Sequence, residues 1–191
     1  VIKLHIGCGP RVLKGWINID LKFTPYQAYL KYYTDKYYPE SARGDKSDFL
    51  ALDVSRQPLP FPDNSVDVVF HEDFLEHLNQ RSQVLFLADS LRVLKPDSIH
   101  RIDTPNLLAS MRDHSNFSLG FQGVYVHEWD KSKHLNVLTP SSLEEMALMV
   151  GYSTVVFTGR NQSASPLIPP EYRPDPRDRP ENGNIFADLV A

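Results

Sequence analysis

The sequence predicts an α/β domain with a mainly parallel sheet and helices on both faces. Three observations predict it. Short apolar runs stopped by turn residues recur along the chain, segments of helical spacing alternate with them, and the first run ends in Gly7-Cys8-Gly9. A length of 191 residues fits one domain with a single core, residues 1–191.

The elements follow in order. Residues 3–6 form an apolar run closed by the glycines and read as a buried strand. Residues 16–21 (WINIDL) and 49–54 (FLALDV) read as the second and third strands, and 66–70 (VDVVF), after the turn Pro62-Asp63-Asn64, as the fourth. Val84, Leu87, Ala88, Leu91 and Leu94 recur at helical spacing, predicting a helix over 82–94 that Pro96 ends. Residues 99–102 are a fifth strand, and a helix opens near Asn106. Ser141 and Glu144 make a capping-box pattern ahead of Leu143, Met146, Ala147 and Val150, with Gly151 as the stop. Residues 152–158 and 185–190 are late strands. Two stretches stand outside this pattern: residues 23–38, rich in tyrosine, and residues 163–182, which hold six prolines and read as an irregular surface excursion.

Charge and composition narrow the function. A net charge of −4 argues against a nucleic-acid partner. No apolar run approaches the ~18 residues of a spanning helix, so no membrane association is expected. No basic region followed by an apolar core marks a secretory signal. The single Cys8 cannot form an internal disulfide, which fits a cytoplasmic location.

A strand running into Gly-x-Gly lets a ligand approach the backbone, and a following helix start offers N–H groups to a carboxylate or phosphate. The same pattern also fits a plain strand-to-helix turn. The dinucleotide fingerprint fails, because Val12 stands where its third glycine belongs, and no Gly-Lys-Ser/Thr follows to make a phosphate loop. Asp20, at the end of the second strand, comes early enough to accept from both hydroxyls of a ribose. Only ten residues separate it from Gly9, so the first helix must be very short.

With LHIGCGP, GWINID, LDVSRQPLPFPDNSVDVVFHEDFLEHL, LRVLKP and RIDTPN in this order, the chain resembles class I S-adenosylmethionine-dependent methyltransferases, in particular a short bacterial type carrying GWxNID. The resemblance spans residues 3–106, and more loosely 139–158. It implies a Rossmann-like sheet of seven strands, the last antiparallel, and S-adenosylmethionine as cofactor. By the same likeness Gly7, Cys8 and Gly9 would line the methionine part, and Asp20 would hold the ribose. Leu52 and Asp53 would flank the adenine, and His71 and Glu72 would lie beside the transferable methyl. His5 stands where the family often has an acid.

Methyl transfer needs alignment and often a base. His71, Glu72, Asp73, His77, Asp103, His127 and His134 are the candidates, with His71 as the catalytic choice. Each also has a structural reading: His77 as a hydrogen-bonding helix residue, Asp103 as a turn former, Cys8 as a small buried residue rather than a nucleophile. No metal site is expected: the spacing of His71 and His77 is wrong for a zincin, and His127, Glu128 and His134 lack regular spacing. Residues 109–138 would cap the acceptor, which would enter between His71 and residues 113–134. The acceptor is expected to be a small molecule or glycan-type molecule. Two other readings stand beside this one. One is a non-catalytic module binding S-adenosylmethionine or S-adenosylhomocysteine. The other is an aminopropyl transferase, for which DTPN at 103–106 offers no clear carboxylate pair.

Overall fold

The computed structural model describes residues 1–26, 35, 38–114, 123, 125–171 and 183–191. Seven strands form one sheet: β1 (Lys3–Ile6), β2 (Ile17–Asp20), β3 (Phe49–Ala51), β4 (Val66–Glu72), β5 (Leu94–Pro105), β6 (Thr154–Phe157) and β7 (Asn184–Val190). Their order across the sheet is β3-β2-β1-β4-β5-β7-β6. Strands β1 to β5 pair in parallel, and β7 runs antiparallel to both β5 and β6. This is the Rossmann-like sheet with a reversed last strand that the sequence implied. The order reverses between β1 and β4, which opens a crevice at their carboxyl ends.

Strand parity sorts the side chains. Leu4, Ile6 and Val69 enter the main core with Phe86 and Leu87 of α1 (Gln80–Val93) and Leu143 and Ala147 of α3 (Pro140–Val150). Val68 and Phe70 point the other way, into a smaller cluster with Leu13, Trp16 and Tyr38. Tyr26, Leu167 and Ile168 pack against that cluster. A further helix, α2 (Leu107–His114), follows β5.

Several expectations shift. α1 begins at Gln80 because Asn79 caps it, its side-chain oxygen accepting from Ser82 N at 2.9 Å. It ends at Val93, and Pro96 lies within the long β5. The capping box of α3 is formed by Thr139 and Ser142 with Pro140 in the first turn, not by Ser141 and Glu144. The expected short helix between β1 and β2 is absent. Buried Asn18 organises that loop instead: its amide nitrogen donates to the carbonyls of Leu13 (2.8 Å), Trp16 (3.2 Å) and Asp48 (2.9 Å). Its oxygen accepts from Leu13 N at 2.8 Å. These bonds hold residues 10–16, where a helix would have run, in turns and loop ahead of β2.

Within the Pro-rich stretch, Glu171 is fully buried and pairs with Arg101 of β5 at 2.6 Å. Residues up to 171 are thereby stitched to the sheet. Of the tyrosine-rich segment, Tyr29, Tyr32, Tyr33 and Tyr37 lie outside the described residues, as do 115–122 and 124 of the segment expected to cap the acceptor.

Candidate functional site

A cavity of about 360 Å³ opens at the carboxyl ends of β1, β2 and β4, and Gly7, Asp20, Leu52, Asp53, Phe74 and His77 line it. The loop after β1 is held by two backbone bonds to Ile19 O, from Gly7 N at 2.8 Å and Cys8 N at 3.3 Å. Gly7 (φ 61°) and Gly9 (φ 51°) both take the left-handed conformation that glycine tolerates. At Gly7 a side chain is also excluded by packing, since an added Cβ would lie 2.3 Å from Phe74 Cδ2.

Asp20 ties the pieces together. Its Oδ2 accepts from Gly9 N at 2.8 Å and its Oδ1 from Leu21 N at 2.6 Å. Its backbone carbonyl accepts from Leu52 N at 3.0 Å. Each carboxylate oxygen has two lone pairs, so both keep capacity for a ligand donor. Asp53 accepts from Ser55 N (3.0 Å) and Ser55 Oγ (2.6 Å), and the bond from that hydroxyl holds its carboxyl below the usual range.

Of the residues expected at the cofactor, Gly7, Asp20, Leu52 and Asp53 come together on this cavity. His5, Cys8, Gly9, His71 and Glu72 are not among its lining residues. His5 lies on the opposite face of β1, stacked on Phe70 at 5.2 Å, and its Nδ1 donates to Asn18 Oδ1 at 3.1 Å. Burial, then the nearby Arg11 charge, push its pKa down to about 3. The Cys8 thiol is pushed up by burial and by the Asp20 charge, which suits a structural thiol rather than a nucleophile. The Glu72 carboxylate is engaged by buried Arg11, which also donates to Pro170 O.

His71 requires a correction. It was expected just beyond β4, beside the methyl. β4 continues to Glu72, so parity points His71 into the main core, with Val69. It is fully buried against Phe74, Phe86 and His100, and neither ring nitrogen has a hydrogen-bond partner among the described residues. Burial lowers its pKa to about 3. The acceptor route past His71 falls with that placement. Asp103 is likewise occupied, accepting from Asn184 Nδ2 at 2.8 Å.

The sequence did not single out Phe74 as a lining residue, and it offered His77 as a candidate base with a structural reading beside it. The signal for both was their place in the turn after β4. His77 lies beside His134, with ring centroids 5.0 Å apart. His134 Nδ1 is 2.7 Å from Glu128 Oε2. A second, larger cavity of about 760 Å³ lies between α1 and α3, with Gln80, Arg81, Asn136, Thr139, Ser142 and Glu145 among its lining.

A family model described as a methyltransferase domain matches residues 4–102. A probable S-adenosylmethionine-dependent methyltransferase of Mycolicibacterium smegmatis is 44% identical over 48 residues, 25% of this chain and 18% of that protein. The match therefore spans under a fifth of that relative's length. A SAM-dependent methyltransferase from Archaeoglobus fulgidus superposes with a TM-score of 0.56 at 16% identity, over 99% of this chain and 85% of that one. The phosphoethanolamine N-methyltransferase 2 of Haemonchus contortus, in complex with S-adenosyl-L-methionine, gives 0.53 at 19% identity, over 82% of this chain and 34% of that one. Among the described residues no helix is long and apolar enough to cross a membrane.

Proposed function

The chain belongs to the methyltransferase-domain family, and from that premise we propose that it transfers the methyl group of S-adenosylmethionine to a small-molecule or glycan-type acceptor. The observation that carries this reading is Asp20: a carboxylate with spare lone pairs at the tip of β2, facing a cavity floored by a left-handed glycine. The residues present fit the cofactor. A volume of about 360 Å³ is within the range of small-ligand sites. Asp20 would accept from the ribose hydroxyls, Leu52 and Asp53 would flank the adenine, and the loop at Gly7 would leave backbone room for the methionine part. When bound, the cofactor supplies an activated methyl on a sulfonium.

The acceptor class draws support from the larger cavity. Leu78 lines the first cavity and Gln80 the second, and the amide and hydroxyl groups of Asn136, Thr139 and Ser142 suit a hydroxyl-bearing ligand. Within the GWINID segment Asp20 lines the site and Asn18 holds the loop after β1, and on that basis we group the chain with the short GWxNID type.

The test is calorimetry with S-adenosylmethionine and S-adenosylhomocysteine, with NAD as control, followed by a product-release assay over sugar and phenolic acceptors. Micromolar or tighter binding of the first two, and not of NAD, supports the reading; comparable NAD binding overturns it. A second reading, a binding module without transfer, is favoured by the burial of His71 away from the cavity. Release of S-adenosylhomocysteine upon acceptor addition decides against it.

A further inference from the structure

We infer that Glu76, His77 and His134 form a binding site for one divalent transition-metal ion of the zinc class on the wall of the same cavity. Glu76 and His77 lie on the short turn Leu75–His77 after β4, and His134 arrives from a distant segment. That segment is pinned there, with Leu135 N and Asn136 N donating to Glu76 O at 2.8 and 3.2 Å. One carboxylate oxygen and one nitrogen from each imidazole all lie within 4.8 Å of one another. Ligands of one tetrahedral ion stand roughly 3–3.5 Å apart, so small side-chain adjustments would bring the three onto it.

The surroundings orient the donors as a metal site requires. Thr104 Oγ1 donates to Glu76 Oε2 at 2.9 Å, and Glu76 Oε1 lies 3.8 Å from His134 Nε2. That separation is too long for a hydrogen bond. Glu128 Oε2 takes the other side of the His134 ring at 2.7 Å, and Ser110 Oγ in turn donates to Glu128. An ionised carboxylate only accepts, so Nδ1 is the donor, and in the neutral ring Nε2 then carries the lone pair that a metal needs. A carboxylate behind a histidine ligand is the common second layer of metal sites. Two imidazoles in the set favour a zinc-class ion over magnesium or calcium.

His77 lines the cavity, so a fourth position on the ion would open onto it. On the methyl-transfer reading such an ion would hold an acceptor oxygen and lower its pKa. That use rests on the proposed function; metal binding does not, and the two are measured separately. The sequence expectation of no metal considered His127, Glu128 and His134 together and so paired His134 with the residue behind it rather than the ones in front.

The experiment is a titration of chelator-stripped protein with Zn²⁺, and in parallel with Co²⁺, whose visible absorption reports nitrogen-containing coordination. One equivalent is expected to bind, with affinity lowered at least about tenfold in His77→Ala and His134→Ala and about 10–100-fold in Glu128→Gln. His77 is exposed, so its substitution leaves the core untouched, and unchanged circular dichroism separates lost ligation from lost fold. Failure of the wild-type chain to bind one equivalent, or binding that His77→Ala leaves unchanged, overturns the inference. In that case His134 is a structural side chain hydrogen-bonded to Glu128.

Discussion

Gly9 donates its backbone N–H to the Asp20 carboxylate at 2.8 Å, so the loop after β1 and the tip of β2 are one hydrogen-bonded unit. The acid proposed to hold the ribose is also the acid that positions the glycine loop. Asp20→Ala is therefore expected to weaken S-adenosylmethionine binding by about 1–3 kcal/mol, and Asp20→Asn by less. Titration calorimetry measures both; unchanged affinity in the alanine variant removes Asp20 from the site.

The two loop glycines are expected to differ. An alanine at Gly7 must take a left-handed φ and also displace Phe74, whereas at Gly9 an added Cβ meets nothing within 4 Å. Gly7→Ala should cost about 2–4 kcal/mol, combining backbone strain with overpacking, and Gly9→Ala about 1–2. Thermal denaturation of the pair checks this. Equal losses at the two positions would mean that φ alone governs the loop.

Acid should unfold the chain in a way that follows its buried imidazoles. His5 and His71 are held near a pKa of about 3, against an ordinary 6.5. As pH falls below 6.5 the unfolded chain takes up these protons first. Stability is thus full above that pH and is lost downward towards pH 3, by about 1.4 kcal/mol per pH unit for each group. Urea unfolding at a series of pH values should show the slope, reduced by about one proton in His71→Leu. An identical slope in that variant would mean that His71 is protonated in the folded state.

The buried pair of Arg101 and Glu171 joins the Pro-rich stretch to β5. Removing the carboxylate leaves a buried guanidinium with Asp188, 3.2 Å away, as its remaining carboxylate. Glu171→Ala is expected to cost about 3 kcal/mol, the low end for breaking a buried pair. Chemical denaturation measures it, and a loss under about 1 kcal/mol would show that Asp188 alone suffices.

What the sequence disclosed depended on the range of the interactions involved. β1 was legible to the residue because glycines bound it, and Asp20 because it closes the second strand, whereas Asp53 came only with the family resemblance. His71 was misplaced because a polar residue ends a hydrophobic pattern without ending the strand: β4 runs two residues past Phe70. The partner of Glu72 was hidden because Arg11 stands 61 positions away. The loop after β1 was misjudged as helical because one side chain, Asn18, supplies the backbone with an alternative set of bonds. The convergence of His134 on Glu76 and His77 is set by tertiary packing, which periodicity does not encode.

The missing helix after β1 has an electrostatic consequence. In dinucleotide sites a helix N-terminus turns its partial positive charge towards a pyrophosphate. Here no helix follows Gly9, and among the described residues the cavity lining includes Asp20, Asp53 and Asp73 and no lysine or arginine, while Arg56 pairs with Asp53 at 3.4 Å. The described lining is therefore acidic on balance. An acidic lining favours a ligand that carries a positive charge, as a sulfonium does, over one that carries phosphates, a preference set by the sign of charge and not by shape.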